Sequence, residues 1–248
     1  MRAAEAILLA FISISLTILA YYLLLPAFLG YTRSISIEQA KANLLRFSYI
    51  IDSGLGSLSI ERDLKPIEVM FDVTIRVFNK EETIYEHGYS ISLHGLEYNE
   101  GGFSGRAFSI IKGDKRPYSS NPGVYTAIYS LVQEGKQRLI LVPKLVIVNG
   151  SGELFGYNNY RINIIVPVFK FLGKGLIPKG SIVRVTSNSS SPTIVTLIGS
   201  RVKVEVKLTF KGLTEIGEEP LQGIVKAEGE EPGIITIEYI YRYIYFNY

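Results

Sequence analysis

The sequence predicts an N-terminal transmembrane helix continued by an amphipathic helix, followed by an all-β antiparallel head with a sandwich-like arrangement. Three observations predict this fold class: an uncharged run from Ala6 to Thr32, apolar residues at helical spacing from Ser36 to Ile51, and two-residue alternation beyond Gly56. We therefore assign residues 1–32 to a leader and transmembrane helix, 33–56 to a stalk helix, and 57–248 to the head.

Composition favours a folded protein without enzymatic chemistry. The 248 residues are 47% hydrophobic, which excludes a disordered chain, and the formal net charge of +3 is too small to indicate a nucleic-acid partner. The absence of Cys excludes a disulfide framework and thiolate metal sites and, with abundant Tyr and Glu, favours a heat-adapted source. His87 and His94 are the only imidazoles, and their seven-residue spacing along one predicted strand puts them on opposite faces. We expect no metal, no cofactor and no catalytic residue.

The apolar run is long enough to cross a membrane. Ala6 to Leu25 alone reaches about 30 Å as a helix, the thickness of a bilayer core. The run ends in Leu-Leu-Leu-Pro-Ala-Phe-Leu-Gly instead of a small-x-small cleavage site, so it is typical of a retained anchor. Tyr21, Tyr22 and Tyr31 suit the membrane interface near this end, and Pro26 predicts a kink.

Flanking charges leave the orientation of this anchor open. Arg2 lies on one side and Arg33, Lys41 and Arg46 on the other, which slightly favours a cytoplasmic head by the positive-inside rule. Two N-glycosylation acceptor patterns matter only for a head outside the cell; they begin at Asn149 (Asn-Gly-Ser) and at Asn188 (Asn-Ser-Ser).

The stalk helix is predicted from its apolar stripe. The stripe recurs every three or four residues, at Ile37, Ala40, Leu44, Phe47 and Ile51. Ser36 is expected to cap this helix at its start, and Gly54 to end it.

The amino terminus resembles the class III signal peptide of archaeal type IV pilins and pilin-like proteins, in which a basic residue and then Gly or Ala precede the scissile bond. In the start Met1-Arg2-Ala3-Ala4-Glu5-Ala6-Ile7, the resemblance implies cleavage between Ala3 and Ala4. Glu5 is similar to the acidic residue that many archaeal members place ahead of their apolar helix. The alternative is an uncleaved signal anchor, in which Arg2 is the basic residue that usually flanks an apolar segment.

The two consecutive helices are similar to the long first helix of pilin-like proteins. The resemblance covers about the first 55 residues. It implies a prepilin peptidase, sister subunits and an assembly platform as partners, with the head outside the cell membrane. It also implies that the protein is a structural subunit, or a minor or accessory component, of a surface filament.

About ten strands are predicted in the head. The clearest alternations run from Ile67 to Val77 and from Val202 to Phe210. The last strand, 234–246, puts Ile235, Ile237 and four tyrosines on one side. Two nearly continuous apolar strands, 139–148 and 162–171, contain Pro143 and Pro167, which favours a bulge or a sheet edge at each proline. Residues 124–133 fit a second short helix.

Charge is distributed unevenly along the head. Every charge between Leu154 and Val204 is positive, whereas Glu dominates from Glu205 to Glu231. The predicted basic contact surface consists of Arg161, Lys170, Lys174, Lys179 and Arg184. It could pair with the acidic stretch of a neighbouring subunit. Alternatively, these charges are solvated strand faces within one molecule, and binding of DNA or anionic glycans is a weaker third interpretation.

The main rival to the pilin-like interpretation is a permanently anchored extracellular β domain. Such a domain would bind a glycan, an envelope lattice or a solute. An anchored hydrolase is disfavoured because the chain has no Cys and only two His to supply common nucleophile and base pairs.

Overall fold

The fold was obtained as a computed structural model of the chain. It describes residues 2–79, 82–101, 107–114, 116, 118–133, 135–154, 157–173, 175–199, 202–210, 221–229 and 233–248. The chain divides into two compact units, Met1–Ala40 and Lys41–Tyr248. The first unit is helical, and the second holds the end of the same helix together with all the described strands.

One helix, α1, spans Arg2–Ser53. It continues through Pro26 and through Ser36, so Ser36 does not cap a second helix, and the prediction of a cap there was wrong. Hydrogen bonding in the helix interior satisfies the backbone at that point, and no helix start remains to be capped. The predicted end at Gly54 is confirmed. Gly54 adopts φ +77°, and its N–H donates to the carbonyls of Ile50 and Ile51 at 3.0 and 3.1 Å.

Fourteen strands form the β-rich part of the described chain. They are β1 Leu55–Ser59, β2 Lys65–Asn79, β3 Glu82–Gly101, β4 Ala107–Lys112, β5 Tyr118–Ser119, β6 Thr126–Gln133, β7 Lys136–Pro143, β8 Leu145–Leu154, β9 Tyr157–Phe171, β10 Ile182–Ser189, β11 Thr193–Gly199, β12 Val202–Phe210, β13 Leu221–Gly229 and β14 Gly233–Asn247.

The strands form two seven-stranded sheets. One is antiparallel throughout its described ladders, in the order β13-β12-β2-β3-β7-β6-β4. The other has the order β1-β10-β14-β9-β8-β5, with β11 also paired to β14. This second sheet corrects the prediction of a wholly antiparallel head, because β14 runs parallel to β9 and β5 parallel to β8. After β9 the chain adds β10 and β11 to the mixed sheet and then crosses to the other sheet for β12 and β13. It returns as β14, which lies between β9 on one side and β10 and β11 on the other and runs in the same direction as β9.

Residues 126–133 form strand β6, not the predicted short helix. This strand lies between β7 and β4 in the antiparallel sheet. Ala127, Ile128, Tyr129 and Leu131 are all buried, so the strand is covered on both faces. A short continuous apolar run of this kind does not separate helix from strand by its periodicity, and pairing with two neighbours decides it.

Both prolines occupy places where a ladder ends. Pro143 is the last residue of β7. Pro167 lies in β9 beyond Ile165, the last β9 residue paired with β8, and it is in register with Arg242 of β14. The predicted bulge or edge is found only as the end of pairing with one neighbour, because β7 lies between β3 and β6 and β9 between β14 and β8.

The two sheets pack face to face through one hydrophobic core. The predicted alternation of β2 is confirmed, since every second residue from Val69 to Val77 is buried. Facing residues come from both sheets, including Leu93, Tyr129 and Ile140 from the antiparallel sheet and Ile147, Ile162, Ile164, Ile235 and Ile237 from the mixed sheet.

A second apolar cluster lies under the last turns of α1. Phe47 packs against Phe246, with ring centroids 5.5 Å apart, and Phe246 also contacts Phe169 and Phe171 at 5.3 and 4.8 Å. Phe246 and Ile237 are nine residues apart in one uninterrupted strand, so they lie on opposite faces of the mixed sheet. The mixed sheet is therefore covered by the antiparallel sheet on one face and by residues 41–53 of α1 on the other.

Candidate functional site

The first part of α1 has the properties of a membrane-spanning segment. Its large apolar side chains between Leu8 and Tyr31 are exposed, apart from the half-buried Leu25. The most apolar 18 residues have a mean hydropathy of 2.3, and none of them is buried. Within the described residues, α1 is the one helix long and apolar enough to cross a membrane. An uncharged, exposed apolar helix is unfavourable in water and favourable in a bilayer.

The residues of the predicted processing site precede this apolar segment. Arg2, Ala3, Ala4 and Glu5 form the first turn of α1. Charged residues are absent from Ala6 to Thr32, so the predicted scissile bond lies directly ahead of the apolar segment.

A buried polar cluster, which we call the clamp, joins the end of α1 to the antiparallel sheet. Asp52 Oδ2 lies 2.5 Å from Lys112 Nζ, and Asp52 Oδ1 accepts hydrogen bonds from the N–H of Tyr125 and the hydroxyl of Thr126, each at 2.9 Å. Lys112 Nζ also donates to Ser48 Oγ at 2.9 Å and to Thr126 Oγ1 at 3.0 Å. The clamp therefore ties the helix to β4 and β6 through charged and neutral hydrogen bonds.

The clamp lies in a largely dry environment. The side chains of Lys112 and Asp52 are only 12% and 10% exposed, so water screens their attraction weakly. Both carboxylate oxygens and the ammonium group have partners, which is the condition under which a buried ion pair is tolerated. Sequence analysis missed this cluster because its helix residues and its strand residues are 60 or more positions apart. The available signal was the pair Ser48 and Asp52, one turn apart beside the apolar stripe.

A second ion pair holds the loop that follows β4. Lys144, whose side chain is 4% exposed, donates to Asp114 Oδ1 at 2.6 Å, and Arg116 donates to Asp114 Oδ2 at 2.8 Å through Nε. Burial acts against the charged form of Asp114, but the hydrogen bonds from Lys144 and Arg116 outweigh it and lower the pKa of this carboxyl. Burial lowers the pKa of the Lys144 ammonium, although Asp114 opposes that change. Desolvation and the Asp114 charge raise the pKa of Tyr129, whose hydroxyl donates to the Asp114 carbonyl.

We expect Asp114→Asn to weaken the fold at neutral pH and to have less effect in acid. Because the pKa of Asp114 is lower in the folded than in the unfolded chain, its ionisation stabilises the fold above the unfolded value. That contribution is lost as the pH falls through the folded value. Thermal unfolding of the full chain in detergent micelles, at about pH 7 and about pH 3, measures this effect. A difference in melting temperature between the two proteins that is equal at both pH values would contradict the assignment.

The predicted basic residues do not share one face. Lys170 and Arg184 are exposed at the same end of the mixed sheet, next to Tyr245 and Asn247 of β14. Arg161 lies nine residues away along β9, about 30 Å, and pairs with Glu238. Lys179 is exposed in the loop before β10, where its N–H donates to Asp63. Lys174 lies outside the described residues.

Both predicted glycosylation acceptors are exposed. Asn149 lies in β8 and Asn188 in β10. Asn188 is the register partner of Tyr243, whose ring stacks with that of Tyr241 at a centroid distance of 6.4 Å. The tyrosine face of β14 is thus flanked by an exposed asparagine and, two register pairs further, by Thr186 beside Tyr245.

The histidines are exposed on opposite faces of β3. His87 pairs with Ile75 and His94 with Glu68, and Ile75 and Glu68 are seven residues apart in β2. Within the described part of the chain, no group of three or more metal-binding side chains comes together.

Comparison with known proteins does not assign a family, since no protein-family model, curated protein or solved structure matches this chain.

Proposed function

We propose that this chain is the membrane-inserted precursor of a type IV pilin-like surface protein. A prepilin peptidase cuts between Ala3 and Ala4, and the exposed apolar segment of α1 holds the mature protein in the membrane until it is assembled. The β head then lies outside the cell. Sister subunits and an assembly platform are the partners that this function requires.

The observation that supports the proposal best is the single uninterrupted helix α1. It carries an apolar, exposed segment suited to a bilayer or to a bundle of identical helices, and its last turns form part of the head core. In a permanently anchored binding domain, nothing requires the same helix to serve both purposes. The long first helix of pilin-like proteins serves both, since its first half bundles in the filament core and its second half packs on the head domain.

Processing at Ala3 is the first prediction of this proposal. We expect the protein purified from membranes of its native host to begin at Ala4, as measured by mass spectrometry of the intact chain. Ala3→Asp should leave the leader in place, because a charged side chain replaces the small one at the scissile bond. Ala10→Val, inside the apolar segment, serves as the matched control and should be processed normally.

Two outcomes would overturn the proposal. One is an intact Arg2-Ala3 leader in the wild-type protein, and the other is cleavage after the apolar segment. Either result favours the rival function, an anchored or secreted β domain that binds a ligand.

A further inference from the structure

A cleft opens at the rim of the head where the two sheets meet. Its volume is about 650 Å³, within the range of small-molecule sites. One wall is β9 from Val168 to Phe171, and the opposite wall is β3 at Ser92 and His94. Here β3 has no neighbour on the β7 side, since its pairing with β7 begins only at Leu96. The rings of His94 and Phe171 form a T-shaped pair with centroids 6.2 Å apart.

The cleft combines an apolar interior with a cationic mouth. Val168, Phe169, Phe171 and Leu176 supply apolar surface, whereas the exposed Lys65 and Lys170 stand at the opening. None of the described lining residues is acidic.

The acidic groups around the cleft are already engaged. Glu68, beside the lining, accepts a hydrogen bond from Ser92. Glu97 and Glu100 of the adjoining groove pair with Arg138 and Tyr98. Neither Lys65 nor Lys170 forms an ion pair with a described carboxylate. Glu97, the register partner of Lys65, pairs with Arg138 instead, and Asp63 of the adjoining groove accepts the N–H of Lys179.

The third wall, the segment after β9, is held in place by the rest of the head. Leu64 and Ile177 exchange backbone hydrogen bonds of 2.9 and 2.8 Å, and the Tyr248 hydroxyl donates to the Gly175 carbonyl at 3.3 Å. Gly173 lies directly against the Tyr248 ring, where any Cβ would collide. The cleft is therefore formed before any ligand arrives, which lowers the conformational cost of binding.

We propose that this cleft binds an amphiphilic anion, with its carboxylate or phosphate between Lys65 and Lys170 and its short apolar chain against Phe171 and Leu176. An uncharged ligand would form no charge-assisted hydrogen bond with the two lysines, and a fully polar anion would leave the apolar wall exposed to water. The head groups and acyl chains of lipids and free fatty acids both present this chemistry. The proposal goes beyond the filament function and does not depend on it.

Histidine NMR tests the proposal, because the chain has one histidine in the cleft and one outside it. The full chain, in nanodiscs of zwitterionic phosphatidylcholine, is titrated separately with hexanoate and with hexyl phosphate. We expect the His94 imidazole signal to shift saturably and the His87 signal to stay in place. Lys65→Gln combined with Lys170→Gln should weaken binding about tenfold, whereas Lys136→Gln, at the far end of β3's partner strand β7, should not.

The probes also distinguish the source of the ligand. Saturation by hexanoate alone supports a free carboxylate amphiphile, and saturation by hexyl phosphate alone supports a phospholipid head group. An equal response to hexanol, an unchanged affinity in the double lysine variant, or no saturable shift of His94 overturns the proposal.

Discussion

Asp52→Ala is expected to destabilise the head by about 3 kcal/mol, the lower end of the range for breaking a buried ion pair. The substitution leaves the Lys112 ammonium in a site that is largely closed to water and removes the acceptor of the Tyr125 N–H and the Thr126 hydroxyl. Urea unfolding of the full chain in detergent micelles, followed by the circular dichroism of the sheets, measures the loss as a change in midpoint at constant slope.

Two further variants show whether burial is the cause. The ion pair between Arg76 and Glu86 has a similar geometry, 2.9 Å, but both side chains are nearly half exposed. Glu86→Ala should therefore cost less than about 1 kcal/mol. Asp52→Asn combined with Lys112→Met removes both charges while keeping an oxygen near Tyr125, and it should recover most of the stability lost in Asp52→Ala. If Glu86→Ala and Asp52→Ala cost the same, the clamp is not a buried pair.

Local patterning predicted the helix and the regular strands well. The apolar stripe of α1 is confirmed at Leu44, Phe47 and Ile51, which are buried in the second unit, and the strict alternation of β2 appears as a buried row. Both predictions depend on side-chain periodicity within one element. The period of a helix or a strand is set by backbone geometry, so the positions of apolar residues in the sequence are enough to reveal it.

The sequence does not show which distant strands pair with each other. Alternation in β14 reveals which residues share a face, but it does not reveal that β14 runs parallel to β9. The tyrosines of β14 show the difference between the faces predicted from alternation and the faces that are buried in the fold. Tyr241 and Tyr243 continue the face of Ile235 and Ile237, as predicted, yet the buried Ile244 and Phe246 lie on the other face because α1 covers that end of the sheet.

The candidate sites also divide into one made of neighbouring residues and two made of residues that are far apart in the sequence. The processing residues are local and could be proposed from a short pattern at the amino terminus. The clamp and the rim cleft join residues from separate strands, and only the fold brings Lys65 and Lys170 to one opening. Of these two, only Lys170 belonged to the predicted basic surface, because charge along the sequence does not show which face of a sheet each charge occupies.

Phe47→Ala is expected to cost about 3 to 5 kcal/mol and to release the last turns of α1 from the mixed sheet. Phe47 is fully buried, and its main aromatic partner, Phe246, is stacked in turn on Phe171. Truncation leaves a cavity bounded by rings that β9 and β14 hold in place, so the site has little freedom to collapse. Urea unfolding in micelles measures the loss, and tryptic cleavage after Arg46 measures the release of the helix.

Tyr49→Ala is the matched control for Phe47→Ala, because it removes an aromatic ring two residues away on the same helix. Tyr49 is 63% exposed, and the Lys112 Nζ lies over its ring, 4.6 Å from the ring centroid. Loss of that cation–π contact should cost about 1 kcal/mol or less and leave Arg46 protected. Equal losses in the two variants would mean that the helix adheres to the head through its exposed face, and would contradict the attachment through Phe47. A large loss confined to Phe47→Ala places the attachment of the last turns of α1 at the aromatic cluster of Phe47, Phe246 and Phe171.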